Sequence, residues 1–356
     1  MPLITRTGKG SKLTIQEMDG NLTHLERLAC GQDNTASGDY STVSGGRCST
    51  ASGYFSTISG GYCNTAPSEG STVSGGYSNA IAPSGGGSCC CGLISAGINS
   101  NGATIGGGSF NSASGRYTTI SGGNNNSAGS TTAAGDGATV GGGVSNTALG
   151  CGSTVSGGGA QFCEYNIASG QNSTIGGGAK NTASGSISTI SGGQCNTASN
   201  SFSTVGGGFC NIASSSWTTV SGGTLNVALN CNATVSGGSC NAACSSFSTI
   251  SGGSNNTAST IGATVSGGRN NIASGCSSST VGGGVGNVAS GIYSGILGGE
   301  NNNATCSRSM IIGNNITSNR VDTTFVNNLS IMNIPTSSAG LPTGSVWNDG
   351  GTLKIV

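Results

Sequence analysis

A six-residue stretch, Ser-Thr-Val-Ser-Gly-Gly at residues 41–46, constrains the fold of this chain more than any other feature. Versions of it recur at a constant step: Ile58 follows Val43 by 15 residues, and Val73 follows Ile58 by 15. A single copy carries little information because Ser, Thr and Gly are common residues. A fixed period that is sustained over many copies indicates a stack of similar structural units.

The composition excludes several alternatives to a repetitive β-structure. The 356 residues include 69 Gly, but Gly does not occupy every third position, which excludes collagen. Only 6% of the residues are charged and the net charge is zero, whereas disordered chains combine low hydrophobicity with high net charge. Because basic clusters and long apolar runs are absent, we expect neither a nucleic-acid partner nor membrane insertion. Residues 1–6 lack the apolar core of a secretory signal.

The repeat can be followed through the β-branched or Leu residue at its centre, which we call the anchor. Most steps between anchors are 15 residues, and a second small apolar residue, usually Ala, follows each anchor by eight residues. These features define a repeat domain at residues 28–313. The predicted anchors are Leu28, Val43, Ile58, Val73, Ile94, Ile105, Ile120, Val140, Val155, Ile175, Ile190, Val205, Val220, Val235, Ile250, Val265, Val281, Ile296 and Ile311.

Each unit is predicted to contain two short strands, Thr-Val-Ser and Thr-Ala-Ser, separated by Gly-rich turns. Side chains alternate across a strand, so Val and Ala share one side while Thr and Ser share the other. One Val and one Ala bury too little area for a unit to stand alone, but stacked units bury them together. The sequence therefore predicts an all-β fold, a parallel β-solenoid with 15-residue coils. The Gly pairs supply positive φ at tight corners, and so thin a rod needs partner chains to bury more surface.

Interruptions of the period predict surface loops. The step lengthens to 20 residues after Ile120 and after Val155. We assign these extra residues to loops at 127–136 and 159–165, and those of a third, irregular region to a loop at 83–91. Such loops often carry recognition, although neutral insertions in a rod fit the pattern equally well.

The two ends of the chain differ from the repeat. In residues 1–27, Thr14 and Glu17 fit a capping box and are followed by apolar residues at helical spacing, which predicts a short N-terminal helix. Residues 314–356 contain strand-forming segments, and an Asp-Gly pair at residue 349 predicts a tight hairpin. We interpret residues 1–27 as an attachment or assembly segment and residues 314–356 as a C-terminal β cap over the last coil.

The pattern Ser-Thr-Val-Ser-Gly-Gly-x-x-Asn-Thr-Ala-Ser-Gly-x-x resembles the head repeat of trimeric autotransporter adhesins, the YadA-like head. The family's repeat reads Ser-Val-Ala-Ile-Gly-x-x-Ala-x-Ala-x-Gly-x-x, so this chain has one extra residue per coil and its corner must differ. The resemblance covers about 280 of the 356 residues. It implies a left-handed parallel β-roll that assembles as a homotrimer, with adhesion as its general role.

Both ends resemble tail-fibre-like proteins of phages and large viruses. Residues 8–21, with Gly-Lys-Gly-Ser-Lys-Leu-Thr and then Glu-Met-Asp-Gly-Asn, are similar to the opening of such proteins. Residues 334–347, with Ile-Pro-Thr and Leu-Pro-Thr-Gly-Ser-Val-Trp, and the final Leu-Lys-Ile-Val are similar to their closing segment. We recognise neither the coiled-coil stalk nor the membrane barrel of a bacterial autotransporter. The resemblance thus implies a fibre at the virion surface or outside the cell, docked to a baseplate or capsid through its N-terminus.

Cysteine is unusually frequent, with 15 residues, and several cysteines share a register. Cys48, Cys63, Cys195 and Cys210 each lie five residues after an anchor, so stacking brings Cys48 near Cys63 and Cys195 near Cys210. A rung spacing of about 4.8 Å is within the Cα range of a disulfide. These pairs are candidate disulfides between coils, and free thiols used as small apolar fillers are the alternative. The run Cys-Cys-Cys at 89–91 could link chains or bind a metal, but no His lies near it in sequence.

Aromatic residues also keep a register. All seven members of the set lie three residues before an anchor, and aromatic faces with polar tips suit the stacking of sugar rings. The alternative is a corner column that packs on itself or at an interface between chains. The set consists of Tyr40, Phe55, Tyr117, Phe202, Trp217, Phe247 and Tyr293.

The sequence contains no recognisable catalytic constellation, since its only histidine, His24, has no partners at the spacing of a triad or an acid–base pair. We predict no enzymatic activity, no cofactor and no resident metal. The expected function is that of a structural fibre of a virus or phage that attaches to a host-surface glycan or protein receptor. One alternative is a filament protein that self-assembles without a receptor. Another is a glycan- or ice-binding solenoid, because Thr and Ser form a regular hydroxyl array.

Overall fold

The protein is a parallel β-solenoid, as the period predicts. The computed structural model describes residues 33–82, 100–130, 135–159, 164–330 and 332–356. Throughout these ranges the regular secondary structure is β, with no α-helix. The predicted N-terminal helix, the anchors Leu28 and Ile94, and the three cysteines at 89–91 lie outside the described residues.

The first strand of every coil belongs to one long parallel sheet, which we call sheet 1. Neighbouring strands pair in register, so that Thr189 aligns with Thr204 and Ile190 with Val205. Sheet 1 consists of Thr42–Val43, Thr57–Ile58, Thr72–Val73, Thr104–Ile105, Thr119–Ile120, Thr139–Val140, Thr154–Val155, Thr174–Ile175, Thr189–Ile190, Thr204–Val205, Thr219–Val220, Thr234–Val235, Thr249–Ile250, Thr264–Val265, Thr280–Val281, Gly295–Gly298, Met310–Ile312 and Thr324–Val326.

The second strand of every coil belongs to a second parallel sheet of 17 strands, which we call sheet 2. Here too the register follows the period, with Thr182 aligned with Thr197 and Ala183 with Ala198. Sheet 2 consists of Thr35–Ala36, Thr50–Ala51, Thr65–Ala66, Ala80–Ile81, Ser112–Ala113, Ser127–Ala128, Thr147–Ala148, Ile167–Ala168, Thr182–Ala183, Thr197–Ala198, Ile212–Ala213, Val227–Ala228, Ala242–Ala243, Thr257–Ala258, Ile272–Ala273, Val288–Ala289 and Asn303–Ala304.

The interior between the sheets is filled by two apolar columns. The Val or Ile of the sheet 1 strands from Val43 to Ile311 and the Ala or Ile of the sheet 2 strands from Ala51 to Ala304 are buried and form one continuous cluster along the rod. A branched side chain thus packs opposite a methyl group, which keeps the two sheets close together. Neither residue could bury its side chain in an isolated coil, so the order of each coil depends on its neighbours.

A column of buried asparagines, which we call the asparagine column, lies inside the turn that leads from sheet 1 to sheet 2. Its members lie six residues after the anchor in nearly every coil. In Asn211 the side-chain Nδ2 donates to the carbonyls of Gly207 and Gly223, both at 2.8 Å. Its Oδ1 accepts the backbone N–H of Asn226 at 2.9 Å. Each asparagine therefore satisfies backbone groups of its own coil and of the next one.

A second buried polar column, the hydroxyl column, lies two residues before each anchor, at the opposite turn. It contains Ser or Thr in most coils and Ala at residues 103, 138, 233 and 263. Some hydroxyls donate to the carbonyl three residues earlier, as Ser203 does to Asn200 at 2.6 Å. Others, such as Ser173 and Ser188, are buried without a hydrogen-bond partner.

The interruptions of the period leave both ladders intact. Thr119–Ile120 pairs directly with Thr139–Val140 across the first 20-residue step, so the extra residues leave the stack there. The first loop begins later than predicted, because Ser127–Ala128 is a strand of sheet 2. Val73 pairs directly with Ile105, so the prediction that Ile94 anchors a coil of its own is wrong. Ile94 lies 21 residues after Val73 and 11 before Ile105, and sheet 1 has no rung between these two residues.

The C-terminal segment contains one further rung and a hairpin. Thr324–Val326 pairs in parallel with Met310–Ile312, and Phe325 packs against the core cluster. The predicted hairpin is confirmed, with Val346–Asp349 antiparallel to Thr352–Ile355 around the Asp-Gly turn. The sheet thus continues past Ile311, where the sequence repeat ends.

Candidate functional site

All seven predicted aromatic residues lie at one corner of the coil, which we call corner A. This position, three residues before the anchor, has a left-handed backbone in every described coil, with φ of 59° at Tyr40 and 61° at Trp217. Corner A consists of Tyr40, Phe55, Gly70, Gly102, Tyr117, Gly137, Gly152, Asn172, Ile187, Phe202, Trp217, Asn232, Phe247, Gly262, Ser278, Tyr293, Arg308 and Asp322.

The corner itself does not require an aromatic residue. A left-handed backbone costs an L-residue roughly 1–2 kcal/mol, whereas Gly adopts it freely and Asn tolerates it. Gly and Asn occupy corner A in several coils with similar φ, for example Gly137 at 68° and Asn172 at 53°. An aromatic residue at this corner therefore contributes through its exposed ring and not through the backbone turn.

Two pairs of corner A rings stack on each other across adjacent coils. Phe202 and Trp217 have ring centroids 4.1 Å apart and an interplanar angle of 7°. Tyr40 and Phe55 are 5.0 Å apart at 20°, and Tyr54 packs edge-on against Phe55. Because the stacked faces cover each other, these pairs leave fewer open ring faces for a ligand.

Tyr117, Phe247 and Tyr293 lie on separate coils, and within the described residues none of them has a ring contact. Tyr117 is 71% exposed, and glycines occupy corner A in the coils before and after it. Its ring lies over Gly102, where an added Cβ would come within 2.9 Å of the ring. The face toward Gly137 has no corner side chain beside it, so Tyr117 presents an open ring.

Charged and polar groups border the Tyr117 ring. The Nε and Nη2 groups of Arg116 both donate to Asp136 Oδ2, at 2.9 and 2.6 Å. The hydrogen bond to Asp136 raises the pKa of Arg116 further above its ordinary value. On the other side, Asn101 Nδ2 donates to Glu69 Oε2 at 3.1 Å. In a chain so poor in charge, this places hydrogen-bonding groups around one exposed aromatic face.

The four predicted disulfide cysteines lie at the other corner, which we call corner B, five residues after the anchor. This corner is also left-handed, and the φ values of these four cysteines lie between 52° at Cys210 and 62° at Cys195. Corner B consists of Asp33, Cys48, Cys63, Ser78, Phe110, Asn125, Ser145, Lys180, Cys195, Cys210, Leu225, Cys240, Asn255, Asn270, Gly286 and Asn301.

The structure places the cysteines of each pair on adjacent coils. Cys210 N donates to the carbonyl of Gln194, and Cys63 N to that of Arg47, both at 2.9 Å. Burial raises the pKa of the Cys210 thiol, and a hydrogen bond with the Cys195 thiol raises it further. All four cysteines are half-buried, and each side chain is a thiol. The two cysteines of each pair lie on adjacent coils, as a disulfide between coils requires, and the disulfides themselves stay a prediction.

A second aromatic row beside corner B was not predicted from the sequence. Tyr62 and Tyr77 stack with centroids 5.2 Å apart at 8°, and Phe110 packs edge-on against Tyr77. The Arg47 guanidinium lies 6.0 Å from the Tyr62 ring centroid. The negative charge of an ionised Cys63 raises the pKa of Tyr62, as does a hydrogen bond between them. The signal was available, because Tyr62 and Tyr77 both lie four residues after an anchor.

The outward residues of the two sheets make two different faces. Every strand of sheet 1 from Thr42–Val43 to Thr280–Val281 begins with an outward Thr, and Ser or Gly follows the anchor. We call this surface the threonine face. On sheet 2 the first strand residue varies among Thr, Ser, Ala, Ile, Val and Asn, and we call this surface the variable face. The two corners are its long edges.

Within the described part of the chain, no group of three or more His, Cys, Asp or Glu side chains is placed to hold a metal ion. A search of the same residues finds no helix with the length and hydropathy needed to cross a membrane. No family model matches the chain, and a search of curated proteins finds no match either. The resemblances to YadA-like heads and to tail fibres therefore stay predictions.

Proposed function

We propose that the protein is a non-enzymatic structural fibre that attaches a virus or phage particle to its host. One observation supports the fibre most directly: two parallel ladders run from Thr35 to Val326, in register apart from a shift between Ile296 and Gly298. With 18 strands in sheet 1 and a spacing of about 4.8 Å, the solenoid is a rod roughly 80 Å long. In the proposed assembly three chains, each a left-handed β-roll, form a homotrimer, and the N-terminal segment docks to a baseplate or capsid.

Tyr117 is the best candidate for the contact with a host glycan. Its open ring can stack on the apolar face of a pyranose, and the side chains of Arg116, Asp136 and Asn101 can bond sugar hydroxyls. The stacked pair Phe202–Trp217 lacks charged neighbours and has its inner ring faces covered. A protein receptor would use the same exposed surface less selectively.

Binding of the full-length chain to immobilised neutral and acidic oligosaccharides and to intact host cells tests this assignment. We expect Tyr117→Ala to reduce binding at least about tenfold, and Phe202→Ala to leave it nearly unchanged. Equal losses in both variants would contradict a site at Tyr117. Polymers that form from purified protein without cells, together with no cell binding, would favour a filament that has no receptor.

The threonine face supports a second candidate function, the binding of ice or ordered water. Its Thr hydroxyls repeat at about 4.8 Å along the rod without interruption over the coils anchored from Val43 to Val281. A flat, uncharged hydroxyl array of this regularity can order water in a lattice. Thermal hysteresis that is present in the native chain and lost in Thr204→Lys/Thr234→Lys would support this function. A chain without hysteresis would exclude it.

A further inference from the structure

The middle of the variable face carries an apolar surface that no described part of the chain covers. Phe202 and Trp217 line one edge at corner A, Leu225 lies on the other edge at corner B, and Ile212 and Leu229 lie between them. All five side chains are exposed, by between 37% and 56%. We call this surface the central patch.

The central patch lies in a segment without charge. Between Lys180 and Arg269 the chain contains no Lys, Arg, His, Asp or Glu. On the same coils the threonine face presents only hydroxyls and glycine, for example Thr204, Thr219 and Ser221. On these coils the exposed large apolar side chains therefore lie on the variable face and at its edges, including Phe209 beside corner B, and not on the threonine face.

The size of the patch indicates what kind of partner covers it. The patch residues lie on three coils, anchored at Ile190, Val205 and Val220, which occupy about 14 Å of the rod; with a face about 23 Å wide this gives roughly 330 Å². That is within the range for an exposed patch on a monomer and well below the ~800 Å² per partner of a stable interface. A stable contact must therefore continue along the rod, onto the Ser- and Thr-rich rungs on either side.

The repeat favours a second copy of this chain as that partner. Side chains on the variable face form rows about 4.8 Å apart along the whole rod. Another copy carries rows with the same spacing, so the ridges of the two copies can interdigitate. An apolar centre with a polar rim is also the usual composition of a specific interface.

We propose that the variable face packs against a second copy of the chain, with the central patch as the buried core of the interface. This rests on the proposed assembly of chains into a fibre, and it adds which face is used. The threonine face then remains on the outside, where ordered water or a receptor can reach it.

Sedimentation of the full-length protein tests the proposal. Ile212→Lys/Leu229→Lys places two charges in the central patch, and Thr204→Lys/Ser221→Lys places two at outward positions of the threonine face on the same coils. We expect the first variant to weaken assembly roughly 100-fold or more and the second to assemble like the native chain. Circular dichroism and thermal melting check that both remain folded.

A milder pair keeps the test decisive if the lysines disturb folding. In Ile212→Thr/Leu229→Ser both new residues occur at the same positions in other coils, for example Thr197 and Ser199. We expect assembly to weaken roughly tenfold. If neither patch variant shifts assembly, or if the threonine-face variant shifts it equally, the proposed face is wrong while the fibre stands. A native chain that sediments as a monomer at all concentrations would overturn the assembly itself.

Discussion

The two buried polar columns of the solenoid differ in how strictly they are specified. The asparagine column keeps Asn in every described coil from Asn64 to Asn302, whereas the hydroxyl column accepts Ser, Thr and Ala. Each Asn satisfies carbonyls and an N–H that have turned away from both sheets, while several Ser hydroxyls have no partner at all. The residue type at a buried polar position is therefore constant where backbone groups need its hydrogen bonds, and it varies where the backbone does not need them.

The largest expected effect is at the glycine that makes room for the asparagine column. Gly253 has φ of 86°, and an added Cβ would lie 2.1 Å from the carbonyl oxygen of Gly268 and 2.6 Å from Asn256 Nδ2. Because backbone atoms must move, we expect Gly253→Ala to lower the free energy of unfolding by roughly 4 kcal/mol or more. Chemical denaturation measures it.

The adjacent Gly252 is the matched control. An added Cβ at Gly252 meets no atom within 4 Å. Gly252 nevertheless belongs to the same turn, because its carbonyl accepts a hydrogen bond from Asn256 Nδ2 at 3.0 Å. We expect Gly252→Ala to change the free energy of unfolding by less than about 1 kcal/mol. A similar loss in both variants would show that the corner is not as tight as the geometry indicates.

The next effect concerns the asparagine column itself. Asn211→Ala leaves the carbonyls of Gly207 and Gly223 without their side-chain donor and the N–H of Asn226 without an acceptor. We expect a loss of about 3 kcal/mol in the free energy of unfolding, because buried groups become unpaired. A loss below about 1 kcal/mol would mean that water replaces the side chain and that the column is not essential.

A disulfide between Cys195 and Cys210 would tie together two coils directly beside Asn196 and Asn211. A bond that closes a loop of 15 residues stabilises by up to about 3 kcal/mol in the chain-entropy model, so we expect a higher Tm in oxidised glutathione than in dithiothreitol. Peptide mapping without reduction identifies the bond. Complete alkylation of both thiols in the oxidised sample would contradict it, and Cys195→Ser is the control.

In the hydroxyl column the expected effect is small. Ser188 is buried, its Oγ has no partner, and Ala already occupies the equivalent position in other coils, as at Ala233 and Ala263. We expect Ser188→Ala to change the free energy of unfolding by no more than about 0.5 kcal/mol in either direction. A loss comparable to that of Asn211→Ala would remove the distinction between the two columns.

The smallest effect is at the exposed end of corner A. A hydrogen bond from Arg308 lowers the pKa of Asp322, whose folded value therefore lies below the unfolded one. The stabilisation is present above the unfolded pKa, about 3.9, and is lost as pH falls through the folded value. We expect the Tm difference between the native chain and Asp322→Asn to shrink as pH falls below the unfolded pKa and to disappear once the pH is below the folded pKa. A difference that persists at lower pH would exclude the ion pair as its cause.

The sequence predicts the parts of this fold that follow from alternation and period. Val43, Ile58 and Ala51 identify the two apolar columns, since outward Thr and Ser flank each of them. It also predicts glycine corners such as Gly253. The prediction at Ile94 was wrong because spacing along the sequence does not show which strands pair. Pairing depends on which coils lie next to each other in the stack.

Other features depend on contacts between coils, which the pattern alone does not reveal. The Asn of each Asn-Thr-Ala-Ser-Gly unit was visible, but its role depends on carbonyls contributed by the next coil. The left-handed backbone at Phe202 or Cys210 contradicts local preference and is imposed by the coil geometry. The sequence places the aromatics at one shared position of the coil and the cysteines at another. It does not show which rings stack and which stay open, because that depends on the neighbouring residues at corner A.

The central claim is that stacked coils in parallel register make an elongated rod whose order comes from neighbouring coils. Electron cryo-microscopy of the purified full-length chain tests it most directly. We predict a rod with strands perpendicular to its axis, a repeat of about 4.8 Å along the axis and a solenoid length of roughly 80 Å. A compact body without that axial repeat, or antiparallel strands through its middle, would contradict the account.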